Sequence, residues 1–150
     1  MAKVGIVAVC GALAALVSTA AAAAPSPNGT WEIISDQDGK PRVLIELTTA
    51  AGTLRGVLTK SLRGEDPNKL CVPCKGAEHN QRIIGMRVLW GLRPAPGDPT
   101  SWQGGQILDP DSGNVYSAKL SESADGKTIT VRGFIGISLL GRTQTWRRVS

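Results

Sequence analysis

The chain has 150 residues, is 41% hydrophobic and 19% charged, and carries a formal net charge of +5 at pH 7. That length leaves room for one small domain and not two. The basic residues alternate with apolar ones and match no RNA- or DNA-binding motif, so the charge reads as solubility, or as a mild preference for anionic ligands or lipid headgroups, and no nucleic-acid partner is expected.

The first segment, residues 1–24, has the pattern of a secretory signal peptide. Lys3 is a positive head, Val4 to Val17 an apolar run, and Ser18 to Ala24 a nearly all-alanine exit. Both Ala20-Ala21-Ala22 and Ala22-Ala23-Ala24 fit the small-x-small cleavage rule, so the working protein is expected to begin near Pro25 and to be periplasmic or secreted. Cys10 follows Val9 after too short an apolar stretch for a lipoprotein signal. Loss of Cys10 leaves Cys71 and Cys74, an even pair that in an oxidising compartment reads as a disulfide. The best later candidate for a membrane span, Phe134 to Leu140, is too short and is interrupted by Gly136 and Ser138.

Residues 25–150 show almost no helical periodicity. Short alternating runs recur instead, separated by Gly, Pro, Asp and Asn. Thr30 to Ile34 opens the series, and Asp38-Gly39 turns the chain. Arg42 to Thr49 places Val43, Ile45 and Leu47 on one face; Thr53 to Lys60 places Leu54, Gly56 and Leu58 on one face, with Gly56 marking a bend or a close backbone approach. Ser61 to Gln81 has no regular pattern and is expected to be a long loop stapled by Cys71 and Cys74. Ile83 to Trp90 reads as a strand, with a short helical turn as the rival, and Arg93 to Thr100 as a proline-rich connection. Ser101 to Leu108, Val115 to Ser121, Thr128 to Ile135 and Leu140 to Val149 complete the strands. The expected fold is all-β, an antiparallel meander of about eight strands closing into a small barrel, because closure removes exposed edges. Such a barrel is either filled by its own side chains or holds one small ligand. The many glycines and few large residues argue for sharply curved strands, and are compatible with a lumen that is not fully packed, which composition does not establish.

Five strings in order, Gly64-Glu65-Asp66-Pro67-Asn68, Cys71-Val72-Pro73-Cys74, Leu89-Trp90-Gly91-Leu92, Gly105-Gln106-Ile107-Leu108-Asp109-Pro110 and Leu140-Gly141-Arg142-Thr143-Gln144-Thr145-Trp146, resemble the bacterial secreted family catalogued as domain of unknown function 2147. The resemblance implies small exported proteins of lipocalin-like architecture with no established reaction. Gly29-Thr30-Trp31 is also similar to the lipocalin start, where an arginine of the last strand covers a first-strand tryptophan; Arg142, Arg147 or Arg148 would fill that role. The cysteine loop departs from ordinary lipocalins.

The candidate ligand contacts are Trp90, Trp102, Tyr116, Arg142, Gln144 and Trp146. Tryptophans offer large apolar area with one donor, suited to plugging a barrel end or lining a cavity; Trp31 is expected to be structural, and Trp90 and Trp102, flanking the proline-rich connection, could sit at a mouth. Arg142, Gln144, Trp146 and Arg148 share a strand face, so an inward Arg142 must meet a carboxylate, an aromatic face or an anion. Cys71, Cys74 and His79 form a weak metal alternative that lacks a fourth ligand, and a redox dithiol lacks the helix N-terminus its thiolate needs. Asp109, Asp111 and Asn114 read as a turn rather than a calcium loop. The apolar run Phe134 to Leu140 is either core, the preferred reading, or an apolar lip facing a ligand or a membrane. One histidine and no Gly-x-Ser-x-Gly make no hydrolase. The expectation is therefore a monomeric binding protein, not an enzyme and without a cofactor, for a small hydrophobic or amphiphilic ligand. The alternative is a cell-envelope interaction or inhibitor module using the 61–81 loop.

Overall fold

The alternating runs become eight antiparallel strands: β1 (Gly29–Ile34), β2 (Pro41–Ala50), β3 (Thr53–Ser61), β4 (Arg87–Ala95), β5 (Asp98–Asp109), β6 (Asn114–Glu122), β7 (Thr128–Phe134) and β8 (Gly141–Arg148). The computed structural model describes residues 25–150, so the expected signal peptide lies outside the described residues. Each strand pairs with the next, and β1 pairs back onto β8 through Trp31 with Arg148, Glu32 with Arg147 and Ile33 with Trp146. The result is a closed barrel without a free edge. Among the described residues no helix is long and apolar enough to cross a membrane.

The fourth strand differs from its expectation. It begins at Arg87 rather than Ile83, and Arg93 to Ala95 belong to it. Pro96-Gly97 is the two-residue turn of a tight hairpin closed by the Ala95–Asp98 pair, so there is no proline-rich connection. Proline presets φ at the first turn position, and Gly97 takes φ of 76° at the second. The preceding apolar residues, Ile83 and Ile84, belong instead to the long segment that follows β3.

Inward positions follow the period of two. Trp31, Ile45, Leu47, Leu54, Leu89, Leu92, Ile129 and Trp146 are fully buried. Burying a Leu or Ile side chain contributes about 2 kcal/mol relative to leaving it exposed. Two inward glycines let the walls approach. A Cβ at Gly56 would lie 2.7 Å from Ile45 Cδ1 and 2.9 Å from Leu47 Cδ2, and one at Gly105 would lie 2.6 Å from the Trp90 carbonyl oxygen.

One end of the barrel is sealed. Trp31 donates from Nε1 to the Pro27 carbonyl at 2.9 Å, and the Arg148 guanidinium stacks 4.1 Å from its ring centroid. Arg148 also donates to the carbonyls of Gly126, Asn28 and Ser26 and pairs with buried Glu122 at 2.9 Å. At the other end, the segment between β3 and β4 folds over the rim. Cys71 and Cys74 are joined as a disulfide, and Cys71 is bonded through its backbone to Gln81 and Asn80. The stapled tip packs on the β5–β6 turn, where a Cβ on Gly113 would run into the Pro73 carbonyl.

Candidate functional site

The open end leads into a cavity of about 500 Å³. That volume lies within the range of small-molecule sites. Its walls are apolar: Ile33 and Val43 lie one inward step above Trp31 and Ile45, and Leu58, Val88, Ile107 and Val131 complete the ring. Trp146, fully buried, forms part of the floor, with its Nε1 3.5 Å from Gln144 Oε1. Tyr116 and Gly133 are diagonal neighbours on β6 and β7: a Cβ on Gly133 would lie 3.6 Å from Tyr116 Cβ and 3.3 Å from Ile107 Cγ2. The missing side chain at position 133 lets Ile107 and Tyr116 pack against the β7 backbone at the cavity wall.

The rim is charged. Arg142 Nε pairs with Asp36 Oδ2 at 2.5 Å, tying the start of β8 to the β1–β2 turn. Arg42 pairs with Asp111 at 2.6 Å, tying β2 to the β5–β6 turn. At the same end Arg63 pairs with Asp38 at 2.7 Å, and this guanidinium holds the Asp38 carboxyl well below the usual carboxylate range. Glu65, Asp66 and Lys69 of the long loop complete the mouth. The arrangement can take an apolar body inward and keep a polar head at the rim.

Of the sequence-derived candidates, Tyr116, Arg142, Gln144 and Trp146 come together around this cavity. Trp90 and Trp102 do not. The β4–β5 hairpin beside them lies at the sealed end, on the side of Trp31, so the expected mouth position is wrong for both. Trp90 is half-buried, donates to Gln106 Oε1 at 3.1 Å and lies 5.6 Å below Arg87. Trp102 is buried in the core, and its Nε1 has no partner. Among the three arginines weighed for Trp31, Arg148 covers it, while Arg147 points outward to Glu32 at 3.4 Å.

His79 Nδ1 lies 3.0 Å from the Cys74 carbonyl, to which it donates as the Nδ1–H tautomer, and with both sulfurs bonded to each other the Cys71, Cys74 and His79 set has no thiolate to offer a metal. Asp109, Asp111 and Asn114 form the expected turn, with Asp109 accepting from the Asp111 backbone and the Ser112 hydroxyl. The run from Ile135 to Leu140 is not core: Ile135, Ile137, Leu139 and Leu140 stand exposed on the β7–β8 loop at the mouth, because this six-residue connection extends beyond the barrel wall. The sequence reading missed Ile33, Val43, Ile107, Val131 and Gly133 as cavity walls. Inward parity would have found them, by stepping away from the sealed end along the strands that carry Trp31 and Ile45.

No curated protein matches the chain. Among solved structures, protein HP1028 from the human pathogen Helicobacter pylori, described as belonging to the lipocalin family, superposes with a TM-score of 0.73 over 83% of this chain and 84% of that one, at 17% identity. The likeness is one of fold. A family model described as an uncharacterized protein conserved in bacteria, DUF2147, matches residues 29–148, from the first strand to the last, and the chain belongs to that family.

Proposed function

We propose that this protein is an exported, non-enzymatic carrier or sensor that holds one small apolar or amphiphilic molecule in its barrel. The observation that supports the reading is the cavity of about 500 Å³: its walls are apolar, one end is sealed by Trp31 and Arg148, and the other opens between charged pairs. The apolar body of the ligand lies against Ile33, Val43 and Val131, and Gln144 and Tyr116 offer it polar atoms. Arg142 and Asp36 meet its head at the rim.

Native mass spectrometry of the gently purified protein, together with titration by a fluorescent aromatic sulfonate, tests the reading. A copurifying mass, or a saturable one-to-one signal, is the expected result. Gly133→Leu would push a side chain against Ile107 and Tyr116 at the cavity wall and should weaken probe binding at least tenfold, with the circular dichroism unchanged. No copurifying molecule and no probe binding would remove the cavity as a site. A second reading, an envelope-protein interaction module, is supported by Leu70 and Val72, apolar side chains exposed on the stapled loop.

A further inference from the structure

Four large apolar side chains stand together at the tip of the β7–β8 loop: Ile135 is 69% exposed, Ile137 60%, Leu139 85% and Leu140 70%. The loop holds no charged residue. It is also ordered by the barrel beneath it. Arg132, on β7, donates from Nε to the Ser138 carbonyl and from Nη2 to the Leu139 carbonyl, while its Nη1 reaches Thr143 at 2.7 Å. Backbone bonds from Ile135 to Leu140 and from Leu140 to Ile137 close the loop on itself. The arginine satisfies the loop's carbonyls from below, and the apolar side chains project away from it. Exposed apolar surface held in a fixed shape marks a contact surface.

We infer that this loop is a lipid-docking tip, inserting its apolar side chains into the headgroup layer of an anionic membrane. Two observations favour lipid over protein. The four side chains present on the order of 500 Å² of apolar surface, short of the ~800 Å² per partner that a stable protein–protein interface covers. The wall beneath the tip is basic: Lys119 and Arg132 face each other across β6 and β7, and no Asp or Glu occupies an outward position of β6, β7 or β8. A wedge of apolar residues above a cationic wall is the arrangement by which a peripheral protein binds acidic lipids. Ile135 and Leu140 also line the mouth of the cavity, so docking would bring that mouth to the lipid surface. The inference stands apart from the proposed function, because vesicle binding and retention of a ligand are measured separately and either can fail alone.

The test is co-sedimentation of residues 25–150, whose barrel closes within Gly29–Arg148, with vesicles of phosphatidylcholine alone or mixed with phosphatidylglycerol. The protein should partition onto the mixed vesicles, and binding should weaken as salt rises. Ile137→Ser with Leu139→Ser, both exposed and thus harmless to the fold, should reduce partitioning at least tenfold. Leu139→Trp should strengthen it several-fold and shift the emission to the blue when vesicles are added. The inference is overturned if the wild type stays in the supernatant, if the double serine variant partitions like the wild type, or if Leu139→Trp shows neither stronger binding nor a spectral shift. Loop-dependent binding that ignores headgroup charge and salt overturns the anionic-lipid assignment. Self-association lost with the same substitutions, without vesicle binding, makes the loop a contact between copies of this chain instead.

Discussion

Among the described residues, Arg148 makes the most side-chain hydrogen bonds, four. It lies over Trp31, neutralises Glu122 and satisfies three backbone carbonyls at the sealed end. Glu122 is buried, so removing its partner strands a charge in the interior. Arg148→Ala should therefore lower stability by about 3 kcal/mol in urea unfolding, and Arg148→Lys, which keeps the charge but not the planar fork, by clearly less. The sequence narrowed this role to three arginines. Strand parity separates outward Arg147 from the other two, but parity alone does not separate Arg142 from Arg148. Six residues apart on one face, they lie about 20 Å apart along the strand. Only the register of β8 against β1 shows that Arg148 pairs with Trp31, whereas Arg142 ends up beside Asp36.

The strands are joined by turns in which aspartates organise the backbone. Asp98 accepts from the Thr100 amide and from the hydroxyls of Thr100 and Ser101; Asp125 accepts from the Ser123 hydroxyl and the Lys127 amide. These bonds favour the ionised form and hold both carboxyls below their ordinary value of 3.8, as the Arg63 hydrogen bond does for Asp38. Each group is more acidic folded than unfolded, so its stabilisation is complete above the unfolded value and is lost as pH falls through the folded one. Melting temperature followed from about pH 6 to about pH 2 should stay level to about pH 4 and then drop, and Asp98→Asn should make that drop shallower. Most of these elements were legible because Asp-Gly and Asp-Pro-Asp-Ser-Gly punctuate clean alternation. The fourth strand was not. Two prolines close together, Pro94 and Pro96, hid a strand end and a two-residue turn, while the apolar Ile83 and Ile84 imitated a strand start and instead face the cavity. The Phe134–Leu140 run was ambiguous for a similar reason: hydrophobicity does not say whether a connection folds inward or projects past the rim.

At the scale of the whole barrel, the seams are unequal. Eight residue pairs join β2 to β3, whereas three join β3 to β4 and three join β1 to β8, the last two seams being continued by backbone bonds of Leu58 with Met86 and Gly85 and of Thr30 with Val149 and Ser150. Local opening follows the least-bonded boundaries. Hydrogen exchange read by mass spectrometry should find faster exchange in β4 residues facing β3, and in β8 residues facing β1, than in the β2–β3 ladder. Uniform protection around the ring would contradict it. Closure itself was legible from strand count and the cost of free edges, and a lumen not fully packed was suggested by composition; which residues line it was not legible, because that awaits the register. The contact of Gly113 with Pro73 also acts at this scale. The disulfide-braced tip rests on the neighbouring turn with no spacer between the two main chains. Glu65, Asp66 and Lys69 of the same segment line the entrance. A single glycine thus sets how near the braced tip can lie to the β5–β6 turn, since any side chain at position 113 would strike the Pro73 carbonyl and force the two apart.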